Sequence, residues 1–195
     1  AVLCNSVLVR GVMQGQPEFS HQLYGEGFYT FQLEVARLSG NHDLLPVTVS
    51  ERLLPQVGFD EGAWCEIHGQ LRSYNKCIAG INRLLITVFA REFLLTEQEE
   101  PENQIALQGY ICKQPIYRTT PFNREITDLL LAINRSYNKS DYIPCIAWGR
   151  NARYAGTLNV GDEVSLQGRV QSRLYEKELA DGTIQVRTAY EVSIT

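Results

Sequence analysis

Asn5-Ser-Val-Leu-Val-Arg-Gly11 returns about 98 residues later as Asn103-Gln-Ile-Ala-Leu-Gln-Gly109, and each glycine is followed six residues on by a proline, Pro17 and Pro115. The correspondence continues outward from that stretch. Phe31-Gln-Leu-Glu-Val-Ala-Arg37 answers to Leu129-Leu-Leu-Ala-Ile-Asn-Arg135, and Asp43-Leu-Leu-Pro-Val47 to Asp141-Tyr-Ile-Pro-Cys145. Gly62-Ala-Trp-Cys-Glu-Ile-His-Gly69 answers to Gly161-Asp-Glu-Val-Ser-Leu-Gln-Gly168. Landmarks that keep one order and nearly one spacing over a whole domain indicate duplication. The 195-residue chain therefore reads as two related domains, residues 1–95 and 103–195, each large enough to bury a core of its own. Between them, residues 96–102 hold Glu97, Glu99, Glu100, Pro101 and Glu102, the composition of an acidic linker.

Within each repeat the pattern is that of strands. Val7-Leu-Val-Arg, Tyr29 to Ala36, Cys65 to Leu71 and Leu84 to Ala90 alternate or run apolar at strand length. The second half repeats the set at Ile105–Gly109, Leu129–Ile133, Ile143–Trp148, Val164–Val170 and Gln185–Val192. Between the third and fourth strands lie Gly149 to Leu158 and, in the first repeat, Glu51-Arg-Leu-Leu-Pro, each short enough for one helix of about two turns. Five strands with a small helix after the third is the plan of a Greek-key OB barrel, an all-β fold. Gly161 and the pair Asp181-Gly182 mark hairpin turns, whereas Gly109 and Gly168 fall inside strands, where a bulge or sharp bend is expected.

Composition narrows the function classes. At 44% apolar and 21% charged residues the chain is ordinary soluble protein with no transmembrane run, so a cytoplasmic location is expected and no membrane partner. The start lacks the basic end and apolar run of a signal peptide. Cys4, Cys65, Cys77, Cys112 and Cys145 are odd in number and contain no CxxC pair, so reduced thiols are expected rather than disulfides or zinc. His21, His42 and His68 have no ligand-like spacing, and neither a metal nor a cofactor is implied. A phosphate-cradling glycine loop, a nucleophile elbow and an HExxH motif are all lacking, so no enzyme is expected. Net charge is −4, but the halves differ: residues 1–102 carry 7 Lys/Arg against 13 Asp/Glu, and residues 103–195 carry 11 against 9. The basic footprint expected of a phosphate binder is confined to the second half.

The second repeat resembles the bacterial single-stranded DNA-binding proteins of the OB-fold type. The resemblance rests on Asn103 to Gly109, Pro115, Arg118-Thr-Thr, Leu131-Ala-Ile-Asn-Arg135, Asp141 to Gly149, Ala152, Leu158, Gly161-Asp-Glu-Val and Gly168-Arg-Val-Gln-Ser-Arg173 with Tyr175. It implies a protein that coats single-stranded DNA in replication, recombination or repair and associates with the nucleoid. Bases would stack on Tyr142, Trp148 and Tyr175, with Tyr137 in the turn Arg135-Ser-Tyr-Asn-Lys139 as a looser candidate. Arg118, Arg135, Lys139, Arg150, Arg153, Arg169 and Arg173 would take phosphates. Base stacking on an aromatic face contributes roughly 1 to 3 kcal/mol with little sequence preference.

Tyr142 and Trp148, six residues apart on one strand, must share a face, which is either the binding groove or the barrel core. The first repeat departs from the pattern: Leu44, Ser50 and Lys76 stand where the three rings are expected. It therefore reads mainly as a structural partner, and Trp64 as core or interface. Relatives of this type assemble four OB domains, so a homodimer is implied, with replication or repair proteins as possible partners. The alternatives are a primosomal-type accessory replication-restart protein, or an OB-fold protein-interaction module that binds no DNA.

Overall fold

The computed structural model describes residues 4–55 and 60–195. In the first repeat it contains β1 (Asn5–Leu23), β2 (Glu26–Ala36), β3 (His42–Ser50), β4 (Trp64–Ile78) and β5 (Ile81–Leu95). The second contains β6 (Glu102–Ile111), β7 (Ile116–Thr119), β8 (Glu125–Arg135), β9 (Lys139–Trp148), α1 (Gly149–Ala155), β10 (Glu163–Glu178) and β11 (Ile184–Ile194).

Each repeat closes on itself. β1 pairs with both β2 and β4, β2 with β3, β3 in parallel with β5, and β5 with β4. The second ring runs β6, β8, β9, β11, β10 and back to β6, with β9 and β11 parallel. Closure removes the exposed strand edges that an open sheet of this size would present. Alternation fills the interior: Val7, Val9 and Met13 of β1 are buried while Ser6 is exposed, and Ile143, Cys145 and Ala147 of β9 point inward. Burial pushes the Cys65 thiol up to about 12 and raises that of Cys145 as well, so both are inert as nucleophiles.

Four in-strand glycines make closure possible. A Cβ on Gly11 would overlap the Glu34 carbonyl oxygen, and one on Gly109 that of Ala132. Gly69 and Gly168 stand in the same way against the carbonyls of Phe89 and Ser193. The expected bulge or bend at Gly109 and Gly168 is in fact a near-contact between neighbouring strands, at matching places in both repeats.

The two barrels are joined through their first strands, β1 and β6, which pair antiparallel from Asn5↔Leu107 to Arg10↔Glu102. β4, β1, β6 and β10 thus form one sheet across both repeats. Asn5, the first residue of β1, and Asn103, the second of β6, make the same contacts. Asn5 Nδ2 donates to the Leu71 carbonyl (2.7 Å) and its Oδ1 accepts the Leu71 N–H (2.9 Å); Asn103 does the same with Val170 (2.7 and 2.9 Å). The side-chain amide acts as an added peptide group at the end of the ladder.

Buried aspartates lock the pair crosswise. Asp43 of β3 accepts the N–H of Ser172 on β10 (3.0 Å), and Asp141 of β9 accepts that of Ser73 on β4 (3.0 Å). Arg37 neutralises the first through Nε (2.7 Å) and Nη2 (2.5 Å) and also donates to the Ser172 carbonyl (3.2 Å). Arg135 stands 3.5 Å from the second.

The structure departs from the sequence reading in three places. The second repeat has an additional short strand, β7, on the outer edge of β8. The first repeat has only a 3₁₀ turn at Glu51–Leu53 where a helix was expected, because Pro55 forces Leu54 out of helical geometry, to φ −72° and ψ 128°. Finally, β4–β5 and β10–β11 run well past the barrels as two-stranded arms. Tyr74 to Ile78 are all exposed there, so no inward face imposes the alternation by which a strand is read.

The β4–β5 arm turns on Ala79 and Gly80, with φ of +52° and +78°. A two-residue turn with both φ positive favours Asn-Gly over Ala-Gly, since a Cβ in the left-handed region is strained. Ala79→Asn is expected to stabilise the chain by about 0.5–1 kcal/mol, read as a higher urea midpoint at unchanged m-value.

Candidate nucleic-acid interface

The arms form the walls of a groove over the second barrel. Its lining comes from β5 of the first repeat (Arg83), β9 (Pro144), β10 (Arg173, Tyr175, Lys177) and β11 (Arg187), and it encloses about 490 Å³. Arg173, Tyr175 and Lys177 alternate along β10 and so share one face, a ring between two cations. Arg187 lies directly opposite Tyr175 in the β10–β11 register. The Arg173 guanidinium is 6.0 Å from the centre of the Tyr175 ring, and its Nε donates to Glu191 Oε1 (2.8 Å), which fixes its direction. Arg83 is paired with Lys76 across the β4–β5 ladder, so two like charges face each other without an intervening acid. Tyr190 and the carboxylates of Asp128 and Glu191 line the groove as well, but Glu191 is taken by Arg173 and Asp128 by Arg118. The half-buried Tyr175 ring amid Arg83, Arg173, Lys177 and Arg187 therefore suits a stacked base with phosphates on either side.

Tyr142 and Trp148 share the outward face of β9, which settles the choice left open by their spacing in favour of the outside of the barrel. Tyr142 is 41% exposed, and its backbone N–H donates to Ser73 Oγ on the arm of the first repeat (2.8 Å). Trp148 is half-buried: its indole N–H donates to Ser193 Oγ (3.0 Å), and Arg124 lies 4.5 Å over its ring. Trp64, in the first repeat, is half-buried at the start of β4.

The predicted cations divide into separate groups. Arg135, Tyr137 and Lys139 line one hollow at the junction of the two repeats. Arg118 pairs with Asp128 (3.2 Å) and Arg153 with Glu125 (2.7 Å), beside α1. The Tyr117 hydroxyl and the Arg153 guanidinium hold the Glu125 carboxyl below its ordinary range, so that carboxylate is committed to this network. Thr127 Oγ1 donates to the Ala152 carbonyl (2.6 Å) and holds α1 against the barrel. Arg150 is exposed at the start of that helix. Arg169 lines another hollow, with Ser6, Leu8 and Gln104, where burial and the nearby Arg37 lower its pKa.

Sequence reasoning passed over Arg83, Lys177 and Arg187. The last two carry a signal, the two-residue spacing from Tyr175 and the opposite hairpin position. Arg83 carries none, because only the reach of the first repeat's arm brings it to the second barrel.

The model of the single-strand binding protein family matches residues 102–195. Among curated relatives, single-stranded DNA-binding protein 1 of Staphylococcus aureus is 34% identical over 83 residues, which are 39% of this chain and 50% of that protein. Single-stranded DNA-binding protein B of Bacillus subtilis is 32% identical over 83 residues, 39% of this chain and 74% of that protein. The chain spans about half the length of most of the curated relatives it matches. Across both repeats the fold is that of the wild-type single-stranded DNA binding protein from Thermus aquaticus, with a TM-score of 0.75 at 22% identity over 97% of this chain and 89% of that one. No helix among the described residues is long and apolar enough to cross a membrane. With the family's model matched along the second barrel and a curated member covered over most of its length, this chain belongs to the single-strand binding protein family.

Proposed function

We propose that the chain binds single-stranded DNA without catalysis, in replication, recombination or repair. The observation that carries the reading is the row Arg173, Tyr175, Lys177 with Arg187 opposite, set in a groove whose far wall includes Arg83. Stacking offers affinity that every base can use, and the cations follow the backbone. Arg118, Arg150, Arg153 and Arg169 stand outside this groove and contribute through the general field of the second repeat. The division into residues 1–95 and 103–195 belongs to the same reading, as does a homodimer carrying four OB barrels with replication or repair proteins as further partners. Sedimentation equilibrium returning twice the chain mass of 22.1 kDa checks the dimer, and the monomer mass refutes it.

The test is titration with a labelled dT oligomer of a few tens of nucleotides at low and physiological salt. Tight binding whose log-log salt slope is roughly −0.7 per phosphate neutralised supports the reading. No binding at low salt leaves the protein-interaction module in its place. Tyr175→Ala is expected to weaken binding about tenfold with the fold intact, within the roughly 1–3 kcal/mol range of a stacked base. Unchanged affinity would remove Tyr175 from the site.

A further inference from the structure

The second barrel closes less completely than the first. Gly69 answers to Gly168 through the repeat, so Cys65 and Ile67 of β4 stand where Val164 and Leu166 of β10 do. Cys65 and Ile67 are fully buried, because β5 runs on beside them: Ile67 pairs with Phe93 and Cys65 with Leu95. In the second barrel β11 pairs with β10 as far as Gly168↔Ile194, and the Thr195 N–H donates to the Gln167 carbonyl (3.0 Å). From Glu163 to Leu166, β10 is paired with β6 alone among the described residues. Val164 and Leu166 pack against the core, yet both are only half-buried.

Beside that edge lies a pocket of about 540 Å³ that reaches the barrel core. Its lining includes the core residues Leu107, Leu129 and Ala147 with the half-buried Leu158, Val164 and Leu166, and no lining residue carries a charge. A volume of this size is in the range of sites that hold a small apolar group. In the first barrel Phe93 takes the matching place. Its ring meets Phe31 edge-on, with centres 6.0 Å apart and planes at 82°, and Phe31 answers to Leu129 through the repeat. The first repeat thus shows within the same chain what covers such a pocket: an extended segment that carries an aromatic ring inward.

The backbone along the edge is ready for the same partner. In an antiparallel pair the N–H and C=O of one residue point to the same side, and so do those of the residue two places on. The Gln167 carbonyl faces β11, so the N–H and C=O of Ser165 face the open edge. The neighbouring strand agrees: Gln108, opposite Ser165 on β6, donates its N–H away from β10, to the Cys4 carbonyl (2.8 Å). Ser165 is exposed. An unpaired edge next to an apolar pocket supplies both parts of strand addition, since main-chain bonds give affinity and the pocket selects the side chain.

We infer that the Ser165 edge and its pocket dock an extended segment of a protein partner, which adds to β10 as β5 adds to β4 and places one uncharged aromatic side chain in the pocket. The uncharged lining excludes an ionised side chain, because a charge moved there would lose its water and gain no counter-charge. The site lies at the opposite end of β10 from Tyr175 and stands independently of the strand-binding reading.

The probe is a dye-labelled peptide copied from Ala90-Arg-Glu-Phe-Leu-Leu-Thr96, the stretch that covers the first barrel, beside a version carrying Phe93→Ser. Titrated with the full chain and followed by anisotropy, the first peptide is expected to bind saturably and the serine version about tenfold more weakly, the size of losing one buried phenylalanine ring. Ser165→Pro in the full chain removes the edge N–H. Proline is tolerated on an edge strand where that N–H faces solvent, so the thermal midpoint and the affinity for a dT oligomer are expected to stay unchanged while peptide binding falls about tenfold. No peptide binding to the parent chain overturns the inference. Equal binding of the two peptides also overturns it, since no ring would then enter the pocket. Parent peptide affinity in Ser165→Pro places the peptide elsewhere and overturns it too. Loss of self-association in Ser165→Pro, read by sedimentation, assigns the edge to a second copy of the chain and overturns the partner. If the thermal midpoint of Ser165→Pro falls, the two peptides on the parent chain decide.

Discussion

Asp43→Ala is expected to destabilise the protein by about 3 kcal/mol, at the low end of what removing one partner of a buried ion pair costs. Asp43 is fully buried and carries three duties: it neutralises Arg37 through two hydrogen bonds, accepts the Ser172 N–H, and in doing so ties β3 of one barrel to β10 of the other. Alanine leaves a guanidinium without its counter-charge and a backbone N–H without an acceptor. Arg37 is 22% exposed and can recover part of the loss from water, which is why the low end applies. The check is thermal unfolding, where this loss corresponds to a drop of roughly 6–12 °C for a chain of this size. Asp43→Asn keeps an acceptor for Ser172 and removes the charge, so it is expected to fall between. A drop under about 2 °C for the alanine variant would show that the central β1–β6 pairing and the Asp141–Ser73 contact hold the repeats together without Asp43.

Gly168→Val is the second large effect, expected at about 3 kcal/mol or more. A Cβ at residue 168 runs into the Ser193 carbonyl oxygen, and that oxygen belongs to backbone in the neighbouring strand, so it cannot rotate aside as a side chain would. Overpacking a core typically costs about 1–3 kcal/mol where side chains can adjust, and here they cannot. The strands must part at the point where β10 turns from the central sheet toward its arm, so the Tyr175 row shifts with them. Urea unfolding and strand affinity are expected to fall together. Gly168→Ala, with one carbon instead of three, is expected to show the same direction with smaller size. A valine variant of parent stability would mean that the ring closes with more room than the strand spacing allows.

Part of the candidate groove's layout was legible where the repeat itself was informative. Tyr142 and Trp148 were placed on one face by the strand period, and that face is the outer one. Arg173 and Tyr175 were read together and lie together. Arg118, Arg153 and Arg169 were read as part of the same cluster, but local pairing with Asp128 and Glu125 or a separate hollow keeps them apart from it. Charge type is written in the sequence; which acid lies within reach of it is not.

The duplication, the five-strand ring of each repeat and the inward residues of its barrel strands are written in local pattern. These follow from periods of two and from glycines at fixed offsets, properties that neighbouring residues settle among themselves. It takes the folded chain to pair the first strands, to carry Asp43 and Asp141 across, and to turn Arg83, Arg72 and Arg91 of the first repeat toward the second. Those contacts join residues far apart in the chain, and nothing in the local pattern of Arg72 or Arg91 distinguishes a cation facing a hollow from one facing solvent. The arms show the same limit from the other side. With both faces exposed they carry no alternation, and they become walls of a groove only because a second barrel lies beneath them.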